Sequence, residues 1–378
     1  MEGRLVAGVK QGVALVAGNI STCLGDLEAT WAAMLAGQTG LVKRRIASCL
    51  TPYPLGLVAG YQGRLAGGAR LQTFLAELLA TVPPLPPQTQ LFVATTKGAV
   101  DDLTRKPNGH DPALGQPWTL GESIKSTLQF TPDPVTVSGA CASGSLAVIQ
   151  AAMAIDSGRC QHALVVAVDL VSEFVLRGFD SLKALSVTSV KPFDQQRDGL
   201  ALGDGGAWLV MSSAENLCGR RGPLGRLHRW GIGCDATHIT APCRKGSGLG
   251  RVFEQILEHP SGRPIIVGGI NGHGTGTAYN DAMEMLVFDD KCGADTPFCS
   301  VKGALGHSLA AAGLIEIVLC LKSLEEMKLP PTVGLSCSAG GRANVSGSGT
   351  LPLTAPSIIS CNSGFGGINA GVYLTTSE

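Results

Sequence analysis

The chain has 378 residues, of which 44% are hydrophobic, 15% charged and 51 are glycine. This describes a compact globular protein with many tight turns and excludes a disordered chain; the length suits two domains or one large unit with two cores. Lysine plus arginine equals aspartate plus glutamate at 29 each, so no global field favours nucleic acid or an anionic membrane.

Apolar runs such as ALVVAV from Ala163 and GLIEIVLCL from Gly313 fall far short of the ~20 residues a bilayer requires. The opening MEGRLVAGVKQGVALVAG is broken by Lys10 and Gln11 and has no cleavage-like region, so a cytoplasmic protein without membrane insertion is expected. The 12 cysteines are scattered and form no CxxC pair. Most of them read as small buried apolar residues, and neither a disulfide framework nor a zinc site is expected.

GVALVAG (12–18) predicts a buried strand. LGDLEATWAAMLAGQTG (24–40) predicts a helix with Leu24, Leu27, Trp31 and Leu35 on one face. LQTFLAELLATV (71–82) is a helix stopped by Pro83 and Pro84, and QLFVATTKG (90–98) a strand. Residues 101–134 read as loops with one short helix near Glu122. PVTVSGAC (134–141) runs from strand into a helix that ends near Ser157. HALVVAVDL (162–170) and GGAWLVMSS (205–213) are buried strands, and RRGPLGRLHRWGIG (220–233) reads as a boundary and crossover. The second half offers a helix near 249–257, strand PIIVGGI (264–270), loop NGHGTGTAYND and a helix to about Phe288. Strand FCSVK (298–302), loop GALGH, a long helix from Ser308 and two strands around a glycine turn complete the chain. Alternating strands and helices with nearly continuous apolar strands argue a parallel-rich α/β architecture. The two halves, 1–222 and 223–378, share a rhythm that suggests duplication.

Four segments could carry chemistry. Cys141 lies among Gly139, Ala140, Ala142, Ser143 and Gly144 at a helix start. There the helix dipole lowers a thiol pKa and backbone amides can hold an oxyanion; a buried cysteine in a packing site fits that stretch equally. His273 follows an apolar strand, where α/β proteins build sites, with hydroxyls at Thr275 and Thr277 and Asp281 able to order the loop. Lys302 and His307 open another helix, on which Glu316 sits in an apolar run and calls for a basic partner, Lys302. Phe365 lies between glycines near the end of the chain and could be no more than an aromatic plug. A thiol with two histidines and no paired acid suggests carbon-nucleophile chemistry more than hydrolysis.

The segments SGACASGSLA, PFDQQRDGLALGDGGAWLVM, GHGTGTAYND, SVKGALGHSLAAAG and GFGGIN, in this order along the chain, resemble those of the β-ketoacyl-[acyl carrier protein] synthases of the thiolase-like superfamily, in particular the elongating Cys-His-His type. The resemblance implies a five-layer αβαβα fold built from two similar halves. It implies that Cys141 carries the acyl chain and that His273 and His307 stabilise the enolate formed when malonyl carrier protein loses CO2. Lys302, paired with Glu316, would tune the site, and the amides of Cys141 and Phe365 would form the oxyanion hole. Phe365 would also gate a pocket lined by Phe179, with Thr275 and Thr277 contacting substrate. Lys183, with Arg64 or Arg70, would meet an acidic carrier protein.

By the same resemblance no metal or organic cofactor is needed, because phosphopantetheine arrives on the acyl carrier protein. The partners implied are that carrier and either a second copy or a chain-length-factor-like subunit. Residues 101–134 and the loop between Ser186 and Pro192 are shorter than in relatives, and Ser363 stands where many have phenylalanine. These features, with ATTKGAVDD (94–102), look like specialised bacterial synthases of polyketide or aryl-polyene clusters. Two other readings stay open: a coenzyme A-dependent thiolase-like acyltransferase, and a non-catalytic partner subunit.

Overall fold

The computed structural model describes residues 8–46, 51–59, 65, 68–100, 115–213, 222–258, 262–340 and 344–377. Arg64 and residues 101–114 lie outside them, and the expected boundary between residues 222 and 223 adjoins residues 214–221, also outside.

Ten strands form one mixed sheet: β1 (Gly8–Thr22), β2 (Gln90–Ala94), β3 (Val135–Val137), β4 (His162–Asp169), β5 (Gly205–Ser212), β6 (Gly225–Cys234), β7 (Ile270–Asn271), β8 (Phe298–Cys299), β9 (Ser357–Gly364) and β10 (Ile368–Thr375). Their spatial order is β8-β7-β9-β10-β6-β1-β5-β4-β2-β3. Read outward from the centre, the first half runs β1-β5-β4-β2-β3 and the second β6-β10-β9-β7-β8, the same order in chain rank. Pairing direction repeats too: β4, β2 and β3 are mutually parallel, as are β9, β7 and β8, and the remaining pairs are antiparallel. The sheet is therefore mixed rather than parallel-rich.

Among the described residues the longer helices are α1 (Leu27–Leu35), α2 (Gly68–Leu79), α3 (Pro117–Leu128), α4 (Ser143–Asp156), α5 (Glu173–Ser181), α6 (Ser247–Leu257), α7 (Ala278–Cys292) and α8 (Ala310–Glu325). Helices apolar all round belong in an interior. α8 is buried on every side apart from Lys322 and Glu325, and α4 is nearly so. These two pack on each other between the half-sheets, α4 against β2 and β4, α8 against β5 and β9. α2 and α3 cover the outer face of the first half; α6 covers that of the second, with α7 packed against α6. The five layers have separate cores: a central one around α4 and α8, and one outside each half-sheet.

Several segments differ from expectation. Residues 225–234, read as a crossover, form β6, which pairs with β1 and joins the halves. A charged residue is tolerated there because the Arg229 guanidinium donates to the carbonyls of Gln255, Ile256 and Glu258 at the end of α6. The helix near Glu122 has 12 residues, with Pro117 in its first turn. PIIVGGI contributes only Ile270 to the ladder, and GALGH is largely a helical turn, Lys302–Leu305.

Candidate active site

Cys141 stands between β3 and α4, in a turn that bulk would prevent. Ala140 adopts φ 49°, a left-handed conformation that only a small neighbourhood tolerates. The Gly139 amide donates to Ser143 Oγ (2.8 Å), which donates to the Ala140 carbonyl (2.6 Å). Glycines also let α4 and α8 touch: a Cβ on Gly144 would lie 2.6 Å from the Leu314 nitrogen and 2.7 Å from the Ala310 oxygen. This contact brings the helix that follows Cys141 against the one that His307 precedes.

His273 follows β7. Its loop is strapped to α7 by two buried carboxylates: the His273 and Gly274 amides donate to Glu284 (2.5 and 2.7 Å), and those of Thr275 and Gly276 to Asp281 (3.0 and 3.1 Å). Burial, then the Asp281 charge, pushes Glu284 up to about 8. His307 is set by its backbone, its amide donating to the Ala201 carbonyl (2.7 Å) and its carbonyl accepting from Gly203 (3.1 Å). Next to it, Asp169 accepts the Ala310 amide (3.0 Å) at the start of α8. The two imidazoles meet edge to face, centroids 5.1 Å apart. One nitrogen of each ring and Cys141 Sγ lie within 4.8 Å of one another.

Electrostatics fix the protonation. Burial, then the nearby Lys302 charge, holds both histidines well below the ordinary imidazole value, so both are neutral at pH 7. Burial pushes the Cys141 thiol up to about 12, against the opposing effects of Lys302 and of the Phe365 amide, which donates to the sulfur. Cys141 therefore rests as a thiol, and the expected acidifying effect of the helix start does not prevail. Lys302 and Glu316 form the ion pair expected of them, both fully buried.

A cavity of ≈ 440 Å³ opens on Cys141, His273 and His307, with Thr275, Thr277 and Phe365 in its wall. The Thr275 and Thr277 hydroxyls are 2.9 Å apart. The Phe365 ring stacks on Phe179, centroids 5.5 Å apart. Its turn is tied to a rim loop: Gly366 donates to the Ile239 carbonyl (2.6 Å), and Asn369 to Asp235 (3.1 Å). Ser363 donates to Asn369 (2.6 Å).

Lys183 stands at the mouth, its side chain 85% exposed. Arg70 does not join it. Its guanidinium is turned inward, ion-paired with the fully buried Asp204 and donating to the Val171 carbonyl (2.9 Å), so a partner surface cannot reach it. Sequence reasoning missed Asn362, Glu284 and Asp169. Asn362 carried a weak signal, a polar side chain ending an apolar strand; Glu284, three residues after Asp281, shares its helix face.

Two family models match: beta-ketoacyl synthase, N-terminal domain, over residues 87–216, and beta-ketoacyl synthase, C-terminal domain, over 224–336. Together they span more than half the chain. A polyketide beta-ketoacyl synthase 1 of Streptomyces cyaneus is 31% identical over 73% of this chain and 68% of its own length. A 3-oxoacyl-[acyl-carrier-protein] synthase 2 of Synechocystis is 32% identical over 54% of this chain and 51% of its own. A ketosynthase of Xenorhabdus doucetiae, solved in complex with its chain length factor, superposes with a TM-score of 0.78 at 24% identity, over 97% of this chain and 98% of that one. Two matched domains and a relative aligned across both halves place this chain in the β-ketoacyl synthase family of condensing acyltransferases.

Proposed function

We propose that this chain is a 3-oxoacyl-[acyl carrier protein] synthase that elongates a fatty-acid or polyketide chain by decarboxylative Claisen condensation. The observation that carries the proposal is a buried thiol within 4.8 Å of two neutral histidines. Neither ring has a carboxylate partner among the described residues, unlike the base of a Cys-His-Asp hydrolase.

In the first half-reaction the Cys141 sulfur attacks the acyl thioester and its proton passes to a ring nitrogen. His307 suits this step, since neither of its nitrogens has a hydrogen-bond partner among the described residues. The carrier's thiolate leaves with that proton, and the acyl group stays on Cys141. In the second, malonyl carrier protein loses CO2, and the resulting enolate oxygen takes hydrogen bonds from His273 and His307. The enolate carbon attacks the Cys141 thioester. Amides of Cys141 and Phe365 hold the oxyanion, and collapse expels the Cys141 thiolate, which takes a proton from solvent to regenerate the thiol, releasing a 3-oxoacyl carrier protein. Lys302, paired with Glu316, orients the site, and its charge keeps both rings neutral at rest, so the proton taken from Cys141 stays on His307 only until the carrier's thiolate leaves.

The first half of the chain, 1–222, supplies the nucleophile, and the second, 223–378, the histidines. The synthase needs no metal or organic cofactor of its own, because the phosphopantetheine arm arrives on the carrier. Lys183 meets an acidic carrier protein, Phe365 and Phe179 gate the pocket, and Thr275 and Thr277 face the arm in the cytoplasm. A second reading has the chain act only beside a chain-length-factor-like subunit, as the Xenorhabdus ketosynthase was solved; retained Cys141 makes this chain the active member. The test is CO2 release from malonyl carrier protein. His273→Ala and His307→Ala should each slow it by about 10²-fold or more; unchanged release in both would sink the enolate assignment.

A further inference from the structure

The neutral imidazole of His273 can carry its proton on either nitrogen, and only one tautomer turns an N–H towards the substrate. We propose that Asn362 makes that choice, holding the proton on Nε2 and linking it to the Lys302–Glu316 pair. This rests on the reading that His273 donates to the enolate.

Asn362 is the last fully buried residue of β9 before the Phe365 turn. Its amide reaches three elements. Nδ2 lies 2.7 Å from Glu316 Oε2 on α8 and 3.3 Å from His273 Nδ1. Oδ1 accepts from the Ser145 hydroxyl (2.6 Å) on α4, four residues after Cys141. The carboxylate decides which end of the amide is nitrogen: reversing it would set oxygen against the Glu316 carboxylate, leaving both without a proton to share. With nitrogen there, His273 Nδ1 faces an N–H and must offer its lone pair. The ring proton then sits on Nε2. The same contact opposes imidazolium formation, because a proton on Nδ1 would meet the amide's own N–H. Space for this amide is cut by Gly313, where a Cβ would lie 2.7 Å from Asn362 Oδ1 and 2.5 Å from Ser145 Oγ. His307 has no comparable group among the described residues. Asn362 is therefore a positioning residue, acting through His273.

The test is long-range nitrogen–proton NMR of the full chain with labelled histidine, the His273 resonances assigned by their loss in His273→Gln. Wild type should show the proton on Nε2. Asn362→Asp, when ionised, offers only oxygen acceptors at Nδ1. It should move the proton to Nδ1 and slow CO2 release by about 10²-fold, with KM for malonyl carrier protein within about twofold and Cys141 alkylation within about threefold of wild type. Ser145→Ala, which leaves both Nδ2 contacts in place, should keep the Nε2 tautomer. A wild-type proton on Nδ1 would overturn the proposal whether or not the variant folds, as would an Asn362→Asp enzyme with unchanged tautomer and rate. If His273→Ala releases CO2 at the wild-type rate, the enolate role of His273 fails instead, whatever its tautomer.

Discussion

At the scale of single residues, burial governs the chemistry. The Cys141 thiol, pushed up to about 12, is protonated at rest and must lose its proton to react with an electrophile. Inactivation by iodoacetamide should therefore keep rising as the pH passes 10. A rate half-maximal near pH 8.5 and flat above about pH 9.5 would show a thiol of ordinary acidity. Glu284 makes a second case. Its carboxyl rises from 4.5 to about 8, so between those values the folded chain binds a proton the unfolded chain has lost. Its contribution to stability is present below pH 4.5 and fades as the pH climbs to 8, by up to about 1.4 kcal/mol per pH unit. Glu284→Gln should flatten that decline in denaturant unfolding measured from pH 5 to 8.5; an unchanged slope would contradict the assignment. The chemistry-bearing residues Cys141, His273, Lys302, His307 and Phe365 were legible because they stand in short, small-residue segments at strand ends. Asn362 and Glu284 were not, because their partners come from other elements: Glu316 is 46 positions from Asn362. Arg70 was misread because sequence shows a charge and not the direction in which it points.

Among the elements, the crossing of α4 and α8 controls the distance between thiol and histidine. Gly144 faces backbone atoms of α8 that cannot swing aside. Gly144→Ala should force the helices apart, costing about 1–3 kcal/mol of stability and lowering condensation more than the unfolding midpoint alone would account for. Wild-type turnover in this variant would show that the crossing does not set the site. Both helices were legible from their apolar runs. α3 was underestimated because its glycine and polar residues, GESIKST, weaken the helical period, while burial of Leu120, Gly121 and Ile124 fixes it. β6 was missed because its arginines and histidine look like linker until the end of α6 is there to receive Arg229.

For the whole molecule, the α/β class was legible from the alternation of elements, but pairing direction was not. β5 is antiparallel to both neighbours yet buried at every position, because helices cover both faces. Continuous apolarity reports that burial and says nothing of strand direction. The repeated strand order sets Cys141 after the third strand of one half and His307 after the third of the other, so the site needs both halves. Acyl transfer to the thiol is accordingly the property of the assembled fold that matters most. The decisive measurement incubates the chain, alone and with a chain-length-factor-like subunit, with carrier proteins bearing acyl groups of different lengths, and maps any added mass to a peptide. The acyl mass should fall on the peptide containing Cys141 and vanish in Cys141→Ala. Transfer to another residue, or none under either condition with the fold intact, would contradict the synthase reading.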